Sequence, residues 1–359
     1  MTAPEARANP FLVGHEEAER GLLAAFYSGR LPHAWVFAGP PGIGKATLAF
    51  RFARFLLSQG GMQNEGNLLF AGEPVAADSL YVPETSPVFS RMAASGHADL
   101  CSISRPFDEK TGRFKEEIPV DEVRRIPPFL RMTSAEGGYR VVVVDGADGM
   151  NRSGQNAILK ILEEPPEKAV LVLTASNPGA LLPTIRSRSR SLMLSPLPEE
   201  TVAELMARYG APDMPEEERK ALSRMAEGSI GRALALADEG GLSLYKDMID
   251  LMIPLPNLDI LAVNALADRL ARPGSGAAFG TVSGFLIWWL MRLARFGARG
   301  EVPPEVVPGE GSLAQRLVAQ HGLDWTVEVW EKVRNLFEEC DRANLDKRQA
   351  FVSAFLALR

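Results

Sequence analysis

A glycine-rich turn directly after a short apolar run limits the folds that this chain can adopt. Residues 34–38 (AWVFA) are followed by residues 39–46 (GPPGIGKA) and then by an amphipathic stretch over residues 47–57. Glycines allow backbone N–H groups to curl around phosphate oxygens, the following helix presents its positive N-terminus, and the lysine neutralises phosphate charge. The order strand, loop, lysine and helix therefore predicts a P-loop in an α/β domain.

The loop departs from the usual P-loop at the position that serves the metal. Ala46 stands where a P-loop ATPase supplies a serine or threonine hydroxyl to Mg²⁺. Thr47 does not replace that hydroxyl, because one step along a helix rotates the side chain by about 100°. We therefore predict weak or absent Mg²⁺ coordination, and whether ATP binds is left open. The nucleotide-binding residues predicted in the loop are Gly39, Gly42, Gly44, Lys45, Ala46 and Thr47.

A second nucleotide signature lies at the end of another apolar run. Residues 141–144 (VVVV) lead into Asp145, where a nucleotide site places an acidic residue after a buried strand. ATPases of this kind usually place a glutamate next to polarise the attacking water, but this chain has Gly146, with Asp148 as the alternative polarising group. Two positions needed for hydrolysis are altered together. This favours a nucleotide fold whose own ATPase activity is weak or absent.

Up to residue 194, short apolar runs alternate with longer amphipathic stretches, which predicts βα units and a parallel sheet covered by helices on both faces. Between residues 59 and 98 the periodicity gives way to Gly, Pro, Ser and Asn, which predicts an irregular insertion. The predicted strands are residues 34–38, 139–144 and 169–174.

Helical patterns dominate after residue 194. Gly240 and Gly241 interrupt the pattern, and the apolar spacing beyond them is helical again. The helices predicted before this break are residues 199–209, 215–227 and 231–238. The predicted domains are residues 1–194 for nucleotide binding, 195–239 for a small helical domain and 240–359 for a C-terminal helical domain.

Composition excludes several classes of protein. A net charge of -6 over 359 residues gives the molecule no general attraction for nucleic acid. Cys101 and Cys340 are the two cysteines, so neither a disulfide framework nor a cysteine-rich zinc site is expected. The longest apolar run, at residues 285–291, is ended by Arg292, well short of the roughly 20 residues of a membrane span. We expect a cytoplasmic protein with no membrane partner.

Four segments carry a resemblance to a known family. They resemble the AAA+ subunits of the bacterial DNA polymerase III clamp loader over most of residues 8–235, and the likeness is diffuse beyond. The last of them is similar to the family's Ser-Arg-Cys motif, with serine in place of cysteine. The segments are residues 118–124 (IPVDEVR), 139–150 (YRVVVVDGADGM), 155–166 (QNAILKILEEPP) and 184–189 (TIRSRS). The resemblance implies an α/β P-loop AAA+ domain, a small helical lid and a C-terminal all-α collar.

Within this family the sequence resembles the delta prime class of subunit more than the tau/gamma motor class. The motor class has threonine after the P-loop lysine, an Asp-Glu pair in its second motif, and four zinc-binding cysteines. This chain has Ala46 and Gly146 at the first two places, and residues 78–96 contain no cysteine. The resemblance therefore implies that the insertion over 59–98 replaces a zinc module and that zinc is absent.

The resemblance also assigns roles to single residues. Arg188 matches the arginine finger that reaches from delta prime into a neighbouring motor's ATP site, where guanidinium charge stabilises the transition state. The alternative is an ion-pairing surface arginine. Ser176 and Asn177 match the γ-phosphate sensor region, Arg232 lies near the second sensor, and Val13 belongs to the adenine-pocket segment.

The implied partners are the tau/gamma and delta subunits, with the sliding clamp and primed DNA reached through the complex. Arg124, Arg125 and Arg131 form a local basic cluster that could meet DNA phosphates, and a solvated basic face is the alternative. Polymerase chemistry would belong to the complex, because no paired carboxylates for two-metal nucleotidyl transfer are apparent. Two other functions stay open: an active AAA+ motor that uses its own site, and a pure scaffold.

Overall fold

The computed structural model describes residues 3–61, 77–108, 113–209, 213–272 and 276–359. Contacts divide the described chain into two compact units. The first contains the described residues up to 209 together with 227–232, and the second contains 213–226 and the described residues from 233 to 359. The domain limits predicted at residues 194 and 239 remain predictions.

The first unit is built on a parallel β-sheet. The strands of the described residues are β1 (Ala34–Ala38), β2 (Leu100–Ile103), β3 (Phe107–Asp108), β4 (Arg113–Phe114), β5 (Arg140–Val144), β6 (Ala169–Ala175) and β7 (Arg190–Met193). Five of them form the parallel sheet, in the order β2-β5-β6-β1-β7, and β3 and β4 pair as a separate antiparallel hairpin. Every residue of β1, β5 and β6 is buried. The three predicted strands and their parallel arrangement are therefore confirmed.

Helices cover both faces of this sheet. Successive residues of a strand point to opposite faces, so Trp35 and Phe37 pack with the helix that follows the P-loop, whereas Val36 packs with the helices of the other face. The predicted two-sided α/β fold is thus confirmed. The helices are α1 (Glu16–Tyr27), α2 (Lys45–Gly61), α3 (Pro87–Ala93), α4 (Val120–Val123), α5 (Ile126–Arg131), α6 (Arg152–Ala157), α7 (Leu159–Glu163), α8 (Pro183–Arg188) and α9 (Glu199–Tyr209).

Part of the stretch predicted to be irregular is helical. Within residues 59–98, α2 continues to Gly61 and α3 occupies Pro87–Ala93, while residues 62–76 lie outside the described residues. Helix α3 starts with proline at its first position and buries Val88, Phe89 and Met92. Its three apolar residues are spaced for one helical face, a signal too short to stand out in the sequence.

The second unit is helical, as predicted. The remaining helices are α10 (Glu216–Met225), α11 (Ile230–Asp238), α12 (Gly241–Met252), α13 (Ile260–Leu270), α14 (Gly276–Arg299), α15 (Glu310–Ala343) and α16 (Lys347–Leu356). Helix α11 begins in the first unit at Ile230, and α15 bends at Gly322, where the backbone leaves the helical region. None of the described helices is long and apolar enough to cross a membrane.

A buried carboxylate ties three elements of the second unit together. Glu310, 2% exposed, accepts hydrogen bonds from the Tyr245 hydroxyl (2.6 Å), the Arg292 guanidinium (2.8 Å) and the Val306 N–H (2.8 Å). Burial, followed by the Glu310 charge, raises the pKa of Tyr245 well above its usual value. Both oxygens of the buried Glu310 carboxylate thus accept hydrogen bonds, as a buried charge requires.

Candidate nucleotide site

A cavity of about 570 Å³ lies at the carboxyl edge of the sheet in the first unit. Residues 41–47 of the P-loop and α2 form one wall, and the ends of β5 and β6 contribute Asp145, Thr174 and Ser176. Parallel α/β sheets bind ligands at this edge, where the loops after the strands converge. The apolar residues of the lining include Leu12, Val13, Leu197, Leu205 and Ile230.

The P-loop needs its glycines for two separate reasons. Gly42 and Gly44 have φ of 73° and 105°, in the left-handed region that side chains disfavour. Gly42 is also pressed against the turn before α11, because a Cβ built there would lie 2.3 Å from Ser229 Oγ. The Gly231 N–H donates to the Gly42 carbonyl over 3.1 Å, so the loop and the first turn of α11 are joined backbone to backbone.

The P-loop lysine is buried and hydrogen-bonded to its own loop and to the residue after β6. Lys45 Nζ donates to the carbonyls of Gly39 (2.8 Å) and Pro40 (2.7 Å) and to Ser176 Oγ (3.0 Å). Burial lowers the pKa of Lys45, while the charges of Asp148 and Asp145 act in the opposite direction. A phosphate that binds here must therefore replace one or more of these three acceptors as the hydrogen-bond partner of the Lys45 ammonium group.

The acidic residue after β5 is tied to the neighbouring strand. Asp145 Oδ1 accepts a hydrogen bond from the Thr174 hydroxyl (2.7 Å), and Thr174 Oγ1 accepts one from the Gly146 N–H (2.9 Å). Gly146 has φ 76° and ψ 48°, the left-handed conformation. A glutamate at position 146 would adopt this backbone only with strain of about 1–2 kcal/mol. The backbone at this point is thus suited to glycine.

Asp148 anchors the loop after β6. Its Oδ2 accepts hydrogen bonds from the N–H groups of Ser176 (2.9 Å) and Asn177 (2.7 Å). The Asn177 side chain accepts from the Gly179 N–H (3.2 Å), which caps the short turn that follows. Of the two residues matched to the sensor, Ser176 lines the cavity, and Asn177 is not among the lining residues. The sensor role of Asn177 stays a prediction.

The site does not fit Mg²⁺ in the way that hydrolysing P-loop sites hold it. The Ala46 methyl offers no ligand, and one oxygen of Asp145 is already bonded to Thr174. Mg²⁺ demands near-octahedral oxygen ligands and loses its waters reluctantly, so a missing hydroxyl weakens its attachment. Among the described residues, no group of three or more His, Cys, Asp or Glu could hold a metal ion.

The other residues predicted for the site are not all at the cavity. Val13 lines it, whereas Arg232 is half-buried, has its Nη1 3.4 Å from Glu227 Oε2, and is not part of the lining. His15, two residues after Val13, is buried with Nε2 2.7 Å from the Ile43 carbonyl. Arg105 also lines the cavity, although no motif around it in the sequence predicts a functional residue.

Arg188 lies at the end of α8 on the surface. Its guanidinium is 3.0 Å from Glu163 and donates to the Thr184 carbonyl over 3.3 Å. The Arg188 and Glu163 side chains are 37% and 52% exposed. An exposed ion pair of this kind is worth up to about 1 kcal/mol, so the arginine can leave it at little cost.

The three arginines considered for DNA binding are exposed, on and beside α4 and α5. Arg124 pairs with Asp121 (3.1 Å) and Arg125 with Glu122 (2.5 Å), each one turn back in the chain. Arg131 ends α5. Neighbouring carboxylates thus neutralise two of the three charges, which supports the solvated-face alternative.

The chain is similar to known proteins over the region that contains this cavity. A family profile described as DNA polymerase III, delta subunit, matches residues 14–198. The chain is 34% identical over 209 residues to the delta' subunit of Pseudomonas aeruginosa (58% of this chain, 56% of the relative) and 31% over 215 residues to that of Escherichia coli K12 (60% and 57%). It is 28% identical over 278 residues to the gamma/tau subunit of Mycobacterium bovis (76% and 44%).

The chain spans about half the length of the curated relatives it matches. The relatives include both delta' and gamma/tau subunits, so they establish the family and do not separate the two kinds of subunit. The family profile covers just over half of the chain, including the whole strand, P-loop and carboxylate framework of the cavity. This chain therefore belongs to the DNA polymerase III delta-subunit family of clamp-loader AAA+ proteins.

Proposed function

We propose that this chain is the delta prime subunit of a DNA polymerase III clamp loader. In this role it helps to close an AAA+ ring, hydrolyses little or no ATP itself, and donates Arg188 into the ATP site of a neighbouring tau/gamma motor subunit. The observation that carries the proposal is a nucleotide cavity that keeps Lys45 and Asp145 but has Ala46 and a left-handed Gly146.

The lack of hydrolysis follows from the groups at the cavity. Position 146 is glycine, so the glutamate that would polarise the attacking water is missing. The left-handed backbone at Gly146 also disfavours any residue with a side chain. Asp148, the alternative, has one carboxylate oxygen bound to two backbone N–H groups of the loop after β6. Because Ala46 also replaces the metal-binding hydroxyl, the site lacks both a usual Mg²⁺ ligand and the usual general base of a P-loop ATPase.

The exposed ion pair of Arg188 supports a role in trans. If Arg188 leaves Glu163 to contact a transition-state phosphate, it loses an exposed ion pair that is worth at most about 1 kcal/mol. An arginine finger contributes about 10³–10⁵ in rate, equivalent to about 4–7 kcal/mol of transition-state stabilisation. The gain exceeds the loss by several kcal/mol. The pair with Glu163 thus holds the arginine near the surface without trapping it.

The test is reconstitution of the complex with motor and delta subunits, using Arg188→Ala and, as matched control, the exposed Arg186→Ala on the same helix. We expect Arg188→Ala to lower turnover at the adjoining motor site by about 10³-fold or more, seen as a loss of DNA-stimulated ATPase and clamp loading. Arg186→Ala should preserve both. Unchanged ATPase in Arg188→Ala would overturn the trans role and leave a pure scaffold.

A motor ATPase is the second candidate, because Lys45 and Asp145 are present and the gamma/tau match covers the larger share of this chain, 76%. Hydrolysis by the isolated chain that disappears in Lys45→Ala would establish this function instead. We expect no such turnover, since the Mg²⁺ ligand and the general base are both altered.

In the proposed role the chain works in the cytoplasm and reaches the sliding clamp and primed DNA through the complex. Any direct DNA contact by Arg124, Arg125 and Arg131 would exchange two local ion pairs for phosphates. Neutralising all three should then lower the affinity of the complex for primed DNA and flatten its dependence on salt. An unchanged salt slope would identify them as a solvated face.

A further inference from the structure

We infer that the cavity binds a nucleoside di- or triphosphate without a divalent cation, and that Arg105 supplies positive charge that Mg²⁺ supplies in hydrolysing P-loop sites. The inference deepens the proposed function, on which it rests, by stating what a non-hydrolysing site in this chain holds. It depends on the cavity of the first unit alone.

The cavity has the size and the two-sided chemistry of a nucleotide site. Its volume of about 570 Å³ lies within the range of roughly 300–1,000 Å³ typical of small-molecule sites. The lining includes the P-loop and the start of the 17-residue helix α2, which favour anions. It also includes apolar side chains such as Leu12, Val13 and Leu205, which suit a base.

Without Mg²⁺, Lys45 alone cannot neutralise the negative charge of a bound di- or triphosphate. Ala46 removes one of the two protein ligands that attach Mg²⁺, and Asp145 shares an oxygen with Thr174. Lys45 is one positive charge, and burial lowers its pKa. A bound di- or triphosphate carries several negative charges, so a second cation from the protein is needed for tight binding.

Arg105 meets this need. It follows β2, lines the same cavity as Lys45, is exposed, and makes no ion pair with any residue that the structure describes. Its methylene stem lies over the turn that begins after Asp145, because a Cβ built on Gly149 would be 3.6 Å from Arg105 Cδ. A guanidinium is always charged and matches phosphate geometry with two parallel donors, which a metal-free site requires.

The stem of Arg105 packs against this turn at ordinary van der Waals distance. The Cβ built on Gly149 would also lie 3.7 Å from the Glu116 carbonyl, so residues 105, 116 and 149 are neighbours. The packing thus holds the Arg105 stem beside the turn that leads from Asp145, and Arg105 lines the cavity.

The experiment is equilibrium binding of fluorescent ATP and ADP analogues to the purified full chain, in Mg²⁺ and in EDTA. We expect binding in both, with Kd values within about threefold of each other, because the metal has lost a protein ligand. Arg105→Ala should weaken binding about tenfold or more in EDTA, the expected loss of a charge-assisted contact. Arg30→Ala, an exposed arginine outside the cavity, is the matched control and should bind like the parent chain.

Ala46→Thr provides the converse test. Restoring the hydroxyl should make binding of the ATP analogue tighter in Mg²⁺ than in EDTA by about tenfold, since the metal regains its ligand. Absence of binding, binding lost in EDTA, or full affinity in Arg105→Ala would each overturn the inference. These outcomes do not involve the complex, so they are distinct from a failure of Arg188→Ala, which concerns a neighbour's ATPase rate.

Discussion

Replacing Gly42 by alanine should both destabilise the first unit and disturb the nucleotide cavity. Gly42 has φ +73°, and a Cβ at this position would lie 2.3 Å from Ser229 Oγ and 3.2 Å from Gly231 Cα. The added methyl group must push the turn before α11 away from the P-loop. The hydrogen bond from the Gly231 N–H to the Gly42 carbonyl should lengthen or break as a result.

Two contributions set the magnitude. A left-handed backbone costs a non-glycine residue about 1–2 kcal/mol. Forcing an extra carbon into a packed place typically costs about 1–3 kcal/mol more. The free energy of unfolding should therefore fall by about 2–5 kcal/mol. Gly29→Ala is the matched control, since Gly29 has φ +68° and nothing within 4 Å of its built Cβ, so only the backbone contribution applies.

The assay is denaturant unfolding of both variants, followed by circular dichroism, together with binding of the fluorescent ATP analogue. Gly42→Ala should lose more stability than Gly29→Ala and should bind nucleotide more weakly. Adding Ser229→Gly to Gly42→Ala should recover part of the loss, because Ser229 Oγ is the nearest atom. Equal losses in the two single variants would refute the backbone-to-backbone packing of loop and turn.

Two further substitutions address buried charges. Glu310→Ala should lower the free energy of unfolding by about 3–5 kcal/mol, because it leaves the buried Arg292 charge without its carboxylate partner. Glu338→Ala, which removes an exposed ion pair, is the control and should lower it by less than about 1 kcal/mol. Equal losses in denaturant unfolding would contradict this. Although burial acts to raise the pKa of Asp99, hydrogen bonds from residues 134–136 and the charge of Arg140 hold it below the usual 3.8. A lowered pKa stabilises the fold above the unfolded value and loses that effect as pH falls through the folded value, so the deficit of Asp99→Asn should be full near pH 7 and shrink below about pH 3.8. A deficit independent of pH would contradict this.

The parts of this protein that depend on neighbours along the chain could be predicted from the amino-acid sequence. The apolar runs that became β1, β5 and β6 are bounded by glycine, lysine or asparagine signals a few residues away, so their positions were predictable to within one residue. The altered hydrolytic positions, Ala46 and Gly146, were equally visible, because residue type alone decides whether a hydroxyl or carboxylate is present. Family membership rests on the same local motifs.

Tertiary structure decided how those groups are used. Lys45 is bound by Ser176, 131 positions later, and Asp145 by Thr174, 29 positions later, through contacts that exist only when β1, β5 and β6 lie side by side. No sequence pattern records a left-handed φ at Gly146 or the convergence of Arg105 on the P-loop cavity. The physical reason is range: propensity and periodicity act over a few residues, whereas the charge and hydrogen bonding of a site arise from segments that meet through packing.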